Sequence, residues 1–460
     1  MLPSWQKFFK METYMTTDKQ ATIDPQLASG FKDYLPEDMI PRQKMFDSIR
    51  TVFERWGFVP LDTPGLEREE IITGGDPNFK MNIFRVRLNE GDDKYALRFD
   101  LTVPLARVVA AYPDIKKPFK RYQTGKVWRG ERPQAGRYRE FVQFDADTVG
   151  SASMLADAEI VAIMCETMPA LGIENFLVRV NNRKILNGLA QYAGFDMNKI
   201  SAVLRAIDKL DKQGWDKVSV ELAGEKIGLN QDQIAAIKKF IDLKVEGQIE
   251  TLNAVQELMV NSPIAMQGIS ELREIAGYLN AMAVPTDKWK IDLSVARGLG
   301  YYTGPVFETV LTDLLEIGSV FSGGRYDGLV QKFSTASVPA TGASVGVDRL
   351  FAAMTKLGLI TQSRTVSDVI VLNFDKSVQD LCLATAAIVR SSGIKTEIFI
   401  DGDKKMRDQL GYVSDKGIPL VVIIGPEEVS KNVVQLKDMR SGKQEEIPLD
   451  SLVERIKELI

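Results

Sequence analysis

Histidine is absent from the 460-residue sequence, and cysteine occurs only twice. The two cysteines, Cys165 and Cys382, lie far apart in separate apolar contexts, and neither belongs to a CxxC pair. Zinc sites are built mainly from cysteine and histidine side chains, so the sequence predicts no zinc site. Both cysteines are expected to be small buried apolar side chains. The absence of histidine also excludes an imidazole general base, the commonest proton acceptor in enzymes.

Long apolar runs and a strong net charge are missing as well. No apolar run approaches the length that spans a bilayer, so we expect no membrane partner. The formal net charge of -4 argues against a general nucleic-acid coat protein, which needs a positive field, but it is compatible with a local basic face. The contents of 45% hydrophobic and 26% charged residues are those of a globular protein. The length predicts two to four domains, and the composition favours the cytoplasm.

The spacing of apolar residues divides the chain into segments of different character. Residues 1–29 predict a loosely ordered extension, in which Met11 or Met15 could be the native start. Residues 30–180 mix short strands and helices, with two long strands predicted in 119–149 around a polar loop at 130–136. Residues 181–284 lose the strand signals and show helical spacing, which predicts an inserted helical domain.

Strand signals return after the helical segment. In residues 285–360 strands are predicted at 289–295, 305–310 and 317–321, and a helix at 345–357. Residues 366–460 alternate strands with helices, which predicts a parallel α/β layer.

A polar hairpin carries the densest chemical signal. Residues 128–141 read WRGERPQAGRYREF, with four arginines. A solvated charged hairpin accounts for most of these charges, but not for Arg129, which follows the apolar Val127 and Trp128. An arginine that enters a sheet face needs an anionic partner, because an unpaired buried charge is costly. Its planar guanidinium suits a phosphate, so Arg129 is predicted to bind a phosphate-bearing ligand.

An acidic strand face follows the hairpin. Strand alternation places Gln143, Asp145 and Asp147 on one face. Such a face next to an arginine hairpin indicates a receptor for a cationic or N–H-rich ligand, and an exposed polar strand is the alternative. Upstream, Asp100 and Thr102 lie two residues apart before a predicted helix at 103–111, where both residue types cap well.

Several stretches resemble the histidyl-tRNA synthetases, a family of class II aminoacyl-tRNA synthetases, and they occur in the family's order. They are RFDLTVP at 98–104, the hairpin as motif 2, ARGLGYYTGPVF at 296–307, GGRYDGL at 323–329 and GASVGVDRL at 342–350 as motif 3. The histidine-specific signature is usually RGLDYYTG, so Gly300 replaces an acidic residue and could remove a contact to a neighbouring arginine. Residues 367 onward, including DKGIP at 415–419, resemble the family's anticodon-binding domain.

The resemblance implies an α+β fold. It consists of a class II synthetase antiparallel-sheet catalytic core with a helical insertion, plus a C-terminal α/β anticodon-binding domain. The catalytic core would comprise residues 30–180, with motifs 1 and 2, and residues 285–360, with the histidine signature and motif 3. Residues 181–284 would be the insertion and 366–460 the anticodon-binding domain. Motif 1, with Gly57, Pro64 and Glu67, would build the interface of a homodimer.

The resemblance also implies roles for single residues. Arg129 and Arg297 would be catalytic, gripping the α-phosphate of ATP, while Glu131 positions the adenine and Arg349 lies over the adenine and γ-phosphate. The residues implied to bind L-histidine are Asp100, Thr102, Gln143, Asp147, Arg297, Tyr301 and Tyr302, with Asp147 and Tyr302 at the imidazole. The residues implied to contact tRNA are Gln134 and Arg137 at the acceptor end, and Lys404, Lys405 and Arg407 in the C-terminal domain. For each of the two lysines, a solvated surface charge is the alternative.

The implied reaction is the ATP-dependent ligation of L-histidine to histidine tRNA through a histidyl-adenylate, with ATP and Mg²⁺ as cofactors. Neither step needs a protein nucleophile, so positioning and charge stabilisation would dominate. One alternative is a histidine-binding regulatory paralogue of ATP phosphoribosyltransferase without catalysis, although such paralogues generally lack the C-terminal domain. Another is a module that senses uncharged tRNA. A histidine-free synthetase could be translated when histidine is scarce; compositional drift and deliberate recoding explain the absence equally well.

Overall fold

The computed structural model describes residues 23–74, 82–87, 94–132, 137–243, 245–296 and 301–460. Most of the extension predicted at residues 1–29 therefore lies outside the described residues. The α-helices are α1 Pro36–Arg55, α2 Glu69–Thr73, α3 Thr102–Ala111, α4 Met154–Ala170, α5 Arg183–Ala193, α6 Ile200–Ile207, α7 Leu210–Ala223, α8 Gln231–Ile241, α9 Gln248–Leu258, α10 Pro263–Ala281, α11 Val347–Lys356, α12 Gln379–Ser391, α13 Met406–Lys416, α14 Pro426–Lys431 and α15 Leu452–Leu459.

The strands fall into three sheets within the described ranges. They are β1 Val59–Pro60, β2 Leu66–Arg68, β3 Arg85–Val86, β4 Tyr95–Leu97, β5 Phe119–Trp128, β6 Glu140–Val149, β7 Phe176–Asn182, β8 Trp289–Ile291, β9 Pro305–Leu311, β10 Phe321–Arg325, β11 Ala340–Gly346, β12 Val369–Val371, β13 Thr396–Ile398, β14 Leu420–Ile423, β15 Val433–Asp438 and β16 Gln444–Pro448.

The largest sheet has eight strands in the order β1-β5-β6-β11-β10-β9-β7-β8. Its inner pairs are antiparallel, and only the edge pairs β1–β5 and β7–β8 are parallel. The long strands β5 and β6 confirm the pair predicted in residues 119–149. β6 pairs on its other side with β11, nearly 200 residues away, so Asp147 lies opposite Gly342 and Asp145 opposite Ser344.

Helix α1 shows how the sequence covers one face of this sheet. Pro36 opens the helix, where the missing N–H costs nothing, and Glu37 and Asp38 favour its positive N-terminal end. Met45, Ile49, Val52 and Phe53 are buried, because their spacing of three and four residues places them on one face of the helix. Phe53 packs edge-on against Phe144 of β6, with 5.2 Å between ring centroids. Gly57 follows the helix with φ of 78°, a conformation that glycine adopts without strain.

The prediction of a strand at residues 317–321 is wrong. Leu315–Ile317 forms a short 3₁₀ helix, and β10 begins at Phe321 and runs through Gly323 and Gly324. Glycine usually weakens a strand, but here the neighbouring backbones leave no room for a side chain. A Cβ at Gly324 would lie 2.6 Å from the carbonyl oxygen of Pro305, and one at Gly323 would overlap the carbonyl oxygen of Gly342.

Helices α5 to α10 occupy residues 183–281 and pack against α4 and one another. Asn230 and Gln233 form a capping box at the start of α8, where each side chain bonds the other residue's backbone N–H. Ile234 and Ile237 are buried behind it. The loop between α6 and α7 reaches the large sheet, because Asp208 lines a cavity there.

The C-terminal residues form a separate five-stranded sheet in the order β13-β12-β14-β15-β16. β13, β12 and β14 are parallel, as the alternation predicted, whereas β15 and β16 add an antiparallel hairpin that it did not predict. Cys382 is buried in this unit and Cys165 in α4, which confirms both as buried side chains. Within the ranges that the structure describes, no helix is both long and apolar enough to cross a membrane.

Candidate active site

Two cavities meet on the open face of the large sheet. Their volumes are about 310 Å³ and about 350 Å³, and we call them the basic cavity and the acidic cavity after their lining charges. They share a wall formed by Arg129, Arg137, Gln143, Ser322 and Ser344. Most of this wall comes from β6, β10 and β11, so the strand order of the sheet positions it.

Arg129 lies at the boundary between the two cavities, directly after β5. Its backbone N–H donates to the carbonyl oxygen of Arg139, and its Nε donates to that of Phe99 at 3.2 Å. The guanidinium carbon lies 4.4 Å from the ring centroid of Phe99 and 5.1 Å from that of Phe141. Aromatic faces attract a cation without neutralising it. Arg129 is therefore held in place with its positive charge available to a ligand.

The basic cavity contains three predicted ATP-binding residues, Arg129, Glu131 and Arg349. Arg349 is in the first turn of α11, and its Nη1 donates to the carbonyl oxygen of Ser319 at 2.6 Å. The N-terminal end of a helix carries a partial positive charge, which adds to that of the arginines. The arrangement suits a polyanion such as a triphosphate.

Asp348 holds the N-terminal turn of α11 in place through hydrogen bonds to other elements. One carboxylate oxygen accepts from Arg42 Nη1 at 2.8 Å and from the Tyr34 hydroxyl, and the other accepts from the backbone N–H of Val142 at 2.7 Å. Burial, followed by the negative charge of Asp348, raises the pKa of Tyr34, which therefore stays a neutral donor. The network joins α1, β6 and α11, so Arg349 is set relative to the hairpin strand.

The acidic cavity contains three buried carboxylates, Asp100, Asp145 and Asp147. Asp147 Oδ2 lies 2.8 Å from Arg121 Nη2, and Asp147 Oδ1 accepts from the Tyr326 hydroxyl. Burial raises the pKa of Asp147, whereas Arg121 acts in the opposite direction. Burial also raises the pKa of Asp100, although its Oδ1 accepts the backbone N–H groups of Thr102 and Val103 at the start of α3.

Three buried acceptor atoms in this cavity have no hydrogen-bond partner among the described residues: Asp100 Oδ2, Gln143 Oε1 and Asp147 Oδ2. Asp147 Oδ2 is compensated by its ion pair with Arg121, whereas Asp100 Oδ2 and Gln143 Oε1 remain to be paired. The Gln143 amide is oriented by its other end, because Nε2 donates to Ser344 Oγ at 2.5 Å. Leaving a buried acceptor unpaired costs free energy, so such atoms in a cavity indicate a ligand with N–H donors. The cavity therefore has the chemistry predicted from Gln143 and the acidic face.

Tyrosine rings wall the acidic cavity. Tyr301 and Tyr302 meet edge to face with 5.1 Å between ring centroids, and Tyr301 lies 6.0 Å from Tyr326 in the same geometry. Burial, and then the negative charge of Asp147, raises the pKa of Tyr302. All three hydroxyls therefore remain protonated near neutral pH and can donate hydrogen bonds.

The structure brings most of the predicted site residues to these two cavities: Asp100, Thr102, Arg129, Glu131, Arg137, Gln143, Asp147, Tyr301, Tyr302 and Arg349. Arg297 and Gln134 lie outside the described residues, as does Gly300 of the signature. Lys404, Lys405 and Arg407 are exposed at the start of α13 in the C-terminal unit. The neighbouring Met406 and Leu410 line a further cavity of about 380 Å³ there.

Sequence reasoning gave no role to several lining or supporting residues: Arg121, Ser322, Ser344, Tyr326 and Asp348. Asp145 also lines the acidic cavity without an assigned role, although strand alternation had placed it on the same face as Gln143 and Asp147. Arg121 lies directly opposite Asp147 across β5 and β6, but that register is not visible in either segment alone.

Comparisons with known proteins indicate which family the chain resembles. Residues 30–350 match the family model described as histidyl-tRNA synthetase, and residues 368–459 match the model described as anticodon binding domain. A relative from Gloeobacter violaceus named Histidine--tRNA ligase is 42% identical over 452 residues, covering 91% of this chain and 96% of the relative. One of the same name from Wolinella succinogenes is 43% identical over 429 residues, covering 93% and 96%.

One solved structure is similar to this chain along nearly the whole length of both chains. The crystal structure of histidyl-tRNA synthetase from Nostoc sp. PCC 7120 has a TM-score of 0.84 and 34% identity, covering 95% of this chain and 100% of that one. The predicted fold class, an antiparallel-sheet core with a C-terminal anticodon-binding domain, is thereby confirmed. Taken with the family matches over both units, these findings show that the chain belongs to the histidyl-tRNA synthetase family, the histidine–tRNA ligases among the aminoacyl-tRNA synthetases.

Proposed function

We propose that the chain activates L-histidine with ATP in the two joined cavities and then transfers the histidyl group to histidine tRNA. One observation carries the proposal: a basic cavity and an acidic cavity with unpaired acceptors share Arg129 as a wall. ATP is a polyanion, whereas the ammonium and imidazole of histidine are N–H donors. The two cavities therefore match the two substrates, and the shared wall is where the substrates react.

Histidine would enter the acidic cavity with its ammonium group toward the unpaired acceptors Asp100 Oδ2 and Gln143 Oε1. Its imidazole would face Asp147 and Tyr302. Asp147 is already bonded to Tyr326, but each carboxylate oxygen accepts more than one hydrogen bond. An apolar amino acid would leave these buried groups unpaired, which is a strong basis for rejecting it.

ATP would enter the basic cavity with Arg129 at the α-phosphate, Arg349 further along the phosphates and Glu131 at the adenine. Arg297 would face Arg129 across the α-phosphate, as the family resemblance implies. Mg²⁺ would be held chiefly by the phosphates themselves and would supply further positive charge there.

The reaction then needs no protein nucleophile. The histidine carboxylate attacks the α-phosphorus, pyrophosphate leaves, and the terminal ribose hydroxyl of tRNA attacks the adenylate carbonyl with AMP as the leaving group. The residues bind and orient both substrates and stabilise the charge that spreads over the phosphate oxygens. Arg137 is exposed at the shared wall, where the acceptor end of tRNA must arrive.

The tRNA would also contact the C-terminal unit through Lys404, Lys405 and Arg407. We further propose that the chain works in the cytoplasm as a homodimer joined near Pro64, where Val59 and Leu66 are exposed apolar side chains. The regulatory paralogue is disfavoured because this chain matches an anticodon-binding model at residues 368–459.

The test is ATP–pyrophosphate exchange with each of the twenty amino acids, without tRNA. We expect exchange with histidine alone. Histidine binding without exchange would contradict the proposal and support the regulatory reading. Exchange with other amino acids at comparable rates would contradict the assignment of the acidic cavity.

A further inference from the structure

Asp145 is the buried carboxylate of the acidic cavity to which the proposed function gives no role. It lies on β6 between Gln143 and Asp147, and only 2% of its surface is exposed. Its Oδ1 lies 3.4 Å from Gln143 Nε2, the amide nitrogen that also donates to Ser344 Oγ. Asp145 and Ser344 thus hold the nitrogen end of the amide, which leaves Gln143 Oε1 as the end that faces a ligand.

We propose that Asp145 is a positioning residue for histidine, which orients the Gln143 amide and supplies the negative charge that complements the substrate's ammonium group. The inference rests on the proposed function. Asp145 and the ammonium would lie at opposite ends of one amide, so the negative charge polarises the amide and strengthens its oxygen as an acceptor. Without Asp145 the amide could rotate and present its N–H groups to a cation.

The charged and titratable groups around Asp145 come from four parts of the chain. They are Arg121 on β5, Asp147 on β6, Arg98 and Asp100 between β4 and α3, and Tyr301 and Tyr302 before β9. Burial raises the pKa of Asp145 to about 7; Arg121 acts in the opposite direction and Asp147 in the same direction. In the free protein the carboxyl therefore holds a proton for part of the time near neutral pH.

The direction of the pH effect follows from these charges. The substrate's ammonium favours the ionised carboxylate, so binding of histidine lowers the pKa of Asp145 and releases its proton. Histidine affinity should therefore rise as the pH increases through about 7 and level off above it. Binding of histidine near pH 7 should therefore be accompanied by a net release of protons.

The experiment is titration calorimetry of the full-length chain with histidine near pH 7, in phosphate and in Tris. The two buffers have different ionisation enthalpies, so the difference in heat gives the number of protons released. We expect Asp145→Asn to release fewer protons than wild type and to bind histidine about tenfold more weakly, as losing a hydrogen bond to a charged group does. The KM for ATP should change less than twofold. Ser344→Ala removes the neutral tether, so it should weaken histidine binding. Because the Ser344 hydroxyl also lowers the pKa of Asp145, this variant should release at least as many protons as wild type.

Equal proton release and equal histidine affinity in Asp145→Asn and wild type would overturn the inference. Wild type also gives a test without any variant, in case Asp145→Asn does not fold. Triazolylalanine, a histidine analogue whose ring takes up no proton near neutrality, should still cause a net release of protons on binding, and no release would overturn the inference. Histidine-dependent pyrophosphate exchange by wild type separates this outcome from a failure of the proposed function.

Discussion

The basic and acidic cavities share one wall but solve opposite electrostatic problems. The basic cavity combines the partly exposed Arg129 and Arg349 with the positive N-terminal end of α11, so its positive field faces an incoming anion. The acidic cavity buries Asp100, Asp145 and Asp147, and supports them with Arg121 and with hydroxyl and backbone donors. Arginine keeps its charge in either setting, whereas a buried carboxylate can take up a proton. Protonation should therefore tune the histidine side more than the ATP side.

The comparison also separates the residues that line both cavities from the residues that affect only one of them. A change in the shared wall should impair both substrates, whereas a change behind one cavity should impair one. The kinetic parameters of pyrophosphate exchange measure the two effects separately, as the KM for histidine and the KM for ATP.

The largest effect is expected for Arg129→Ala, which removes the cation common to both cavities. Losing a charge-stabilising donor typically costs about 10²–10³ in rate, so we expect kcat/KM to fall about 10³-fold for both substrates. Arg129→Lys should recover only part of this loss, since an ammonium cannot present the planar fork of donors. A loss confined to the ATP parameters would break the idea of a shared wall.

Gly342→Ala should affect the histidine side alone. A Cβ at this position would overlap Asp147 Oδ1 and lie 2.7 Å from the carbonyl oxygen of Ala146. Because a displacement of about 1 Å can cost about 10²-fold, we expect a rise of that size in the KM for histidine and little change in that for ATP. Gly277→Ala is the matched control, since nothing lies within 4 Å of a Cβ there and α10 should gain up to about 1 kcal/mol in stability. Normal histidine kinetics in Gly342→Ala would contradict the proposal that Asp147 contacts the bound histidine.

Tyr326→Phe should give a smaller effect on the same side. The substitution keeps the ring against Tyr301 but removes the hydroxyl that donates to Asp147. We expect the KM for histidine to rise about tenfold, the order expected for a hydrogen bond to a charged group. Thermal unfolding checks that the ring still packs. An altered KM for ATP with normal histidine kinetics would contradict the division of the two cavities.

The smallest effect is expected outside both cavities, for Arg407→Ala. Arg407 is exposed on α13, so its loss should leave pyrophosphate exchange unchanged. We expect the KM for tRNA in aminoacylation to rise about threefold and its salt dependence to weaken by about one phosphate contact. Lys457→Ala, an exposed charge on α15, is the control for a general charge effect. Equal effects of the two variants would contradict the proposal that α13 contacts tRNA.

The local sequence predicted much of this molecule for identifiable reasons. The polar interruption at residues 130–136 separates two β-prone runs, so β5 and β6 could be predicted within a few residues. The capping pair Asn230 and Gln233 is a contact within one turn, so it too could be read from sequence. β10 could not, because its glycines indicate a strand only once the backbones beside it are known. The hairpin β15–β16 was not predicted, because the prediction for this unit depended on strands that alternate with helices, and no helix separates these two strands.

The candidate site divides in the same way. Residue type and strand alternation predicted a phosphate-binding role for Arg129 and an acidic face of Gln143, Asp145 and Asp147, because both signals lie within a few consecutive residues. Only the tertiary structure decided which acceptors remain unpaired, that Arg121 and Tyr326 hold Asp147, and that Asp348 ties α11 to α1. Each of these depends on strand register or packing between segments tens to hundreds of residues apart. Burial and electrostatic interactions depend on which distant segments become neighbours in the fold, so no local sequence pattern predicts them.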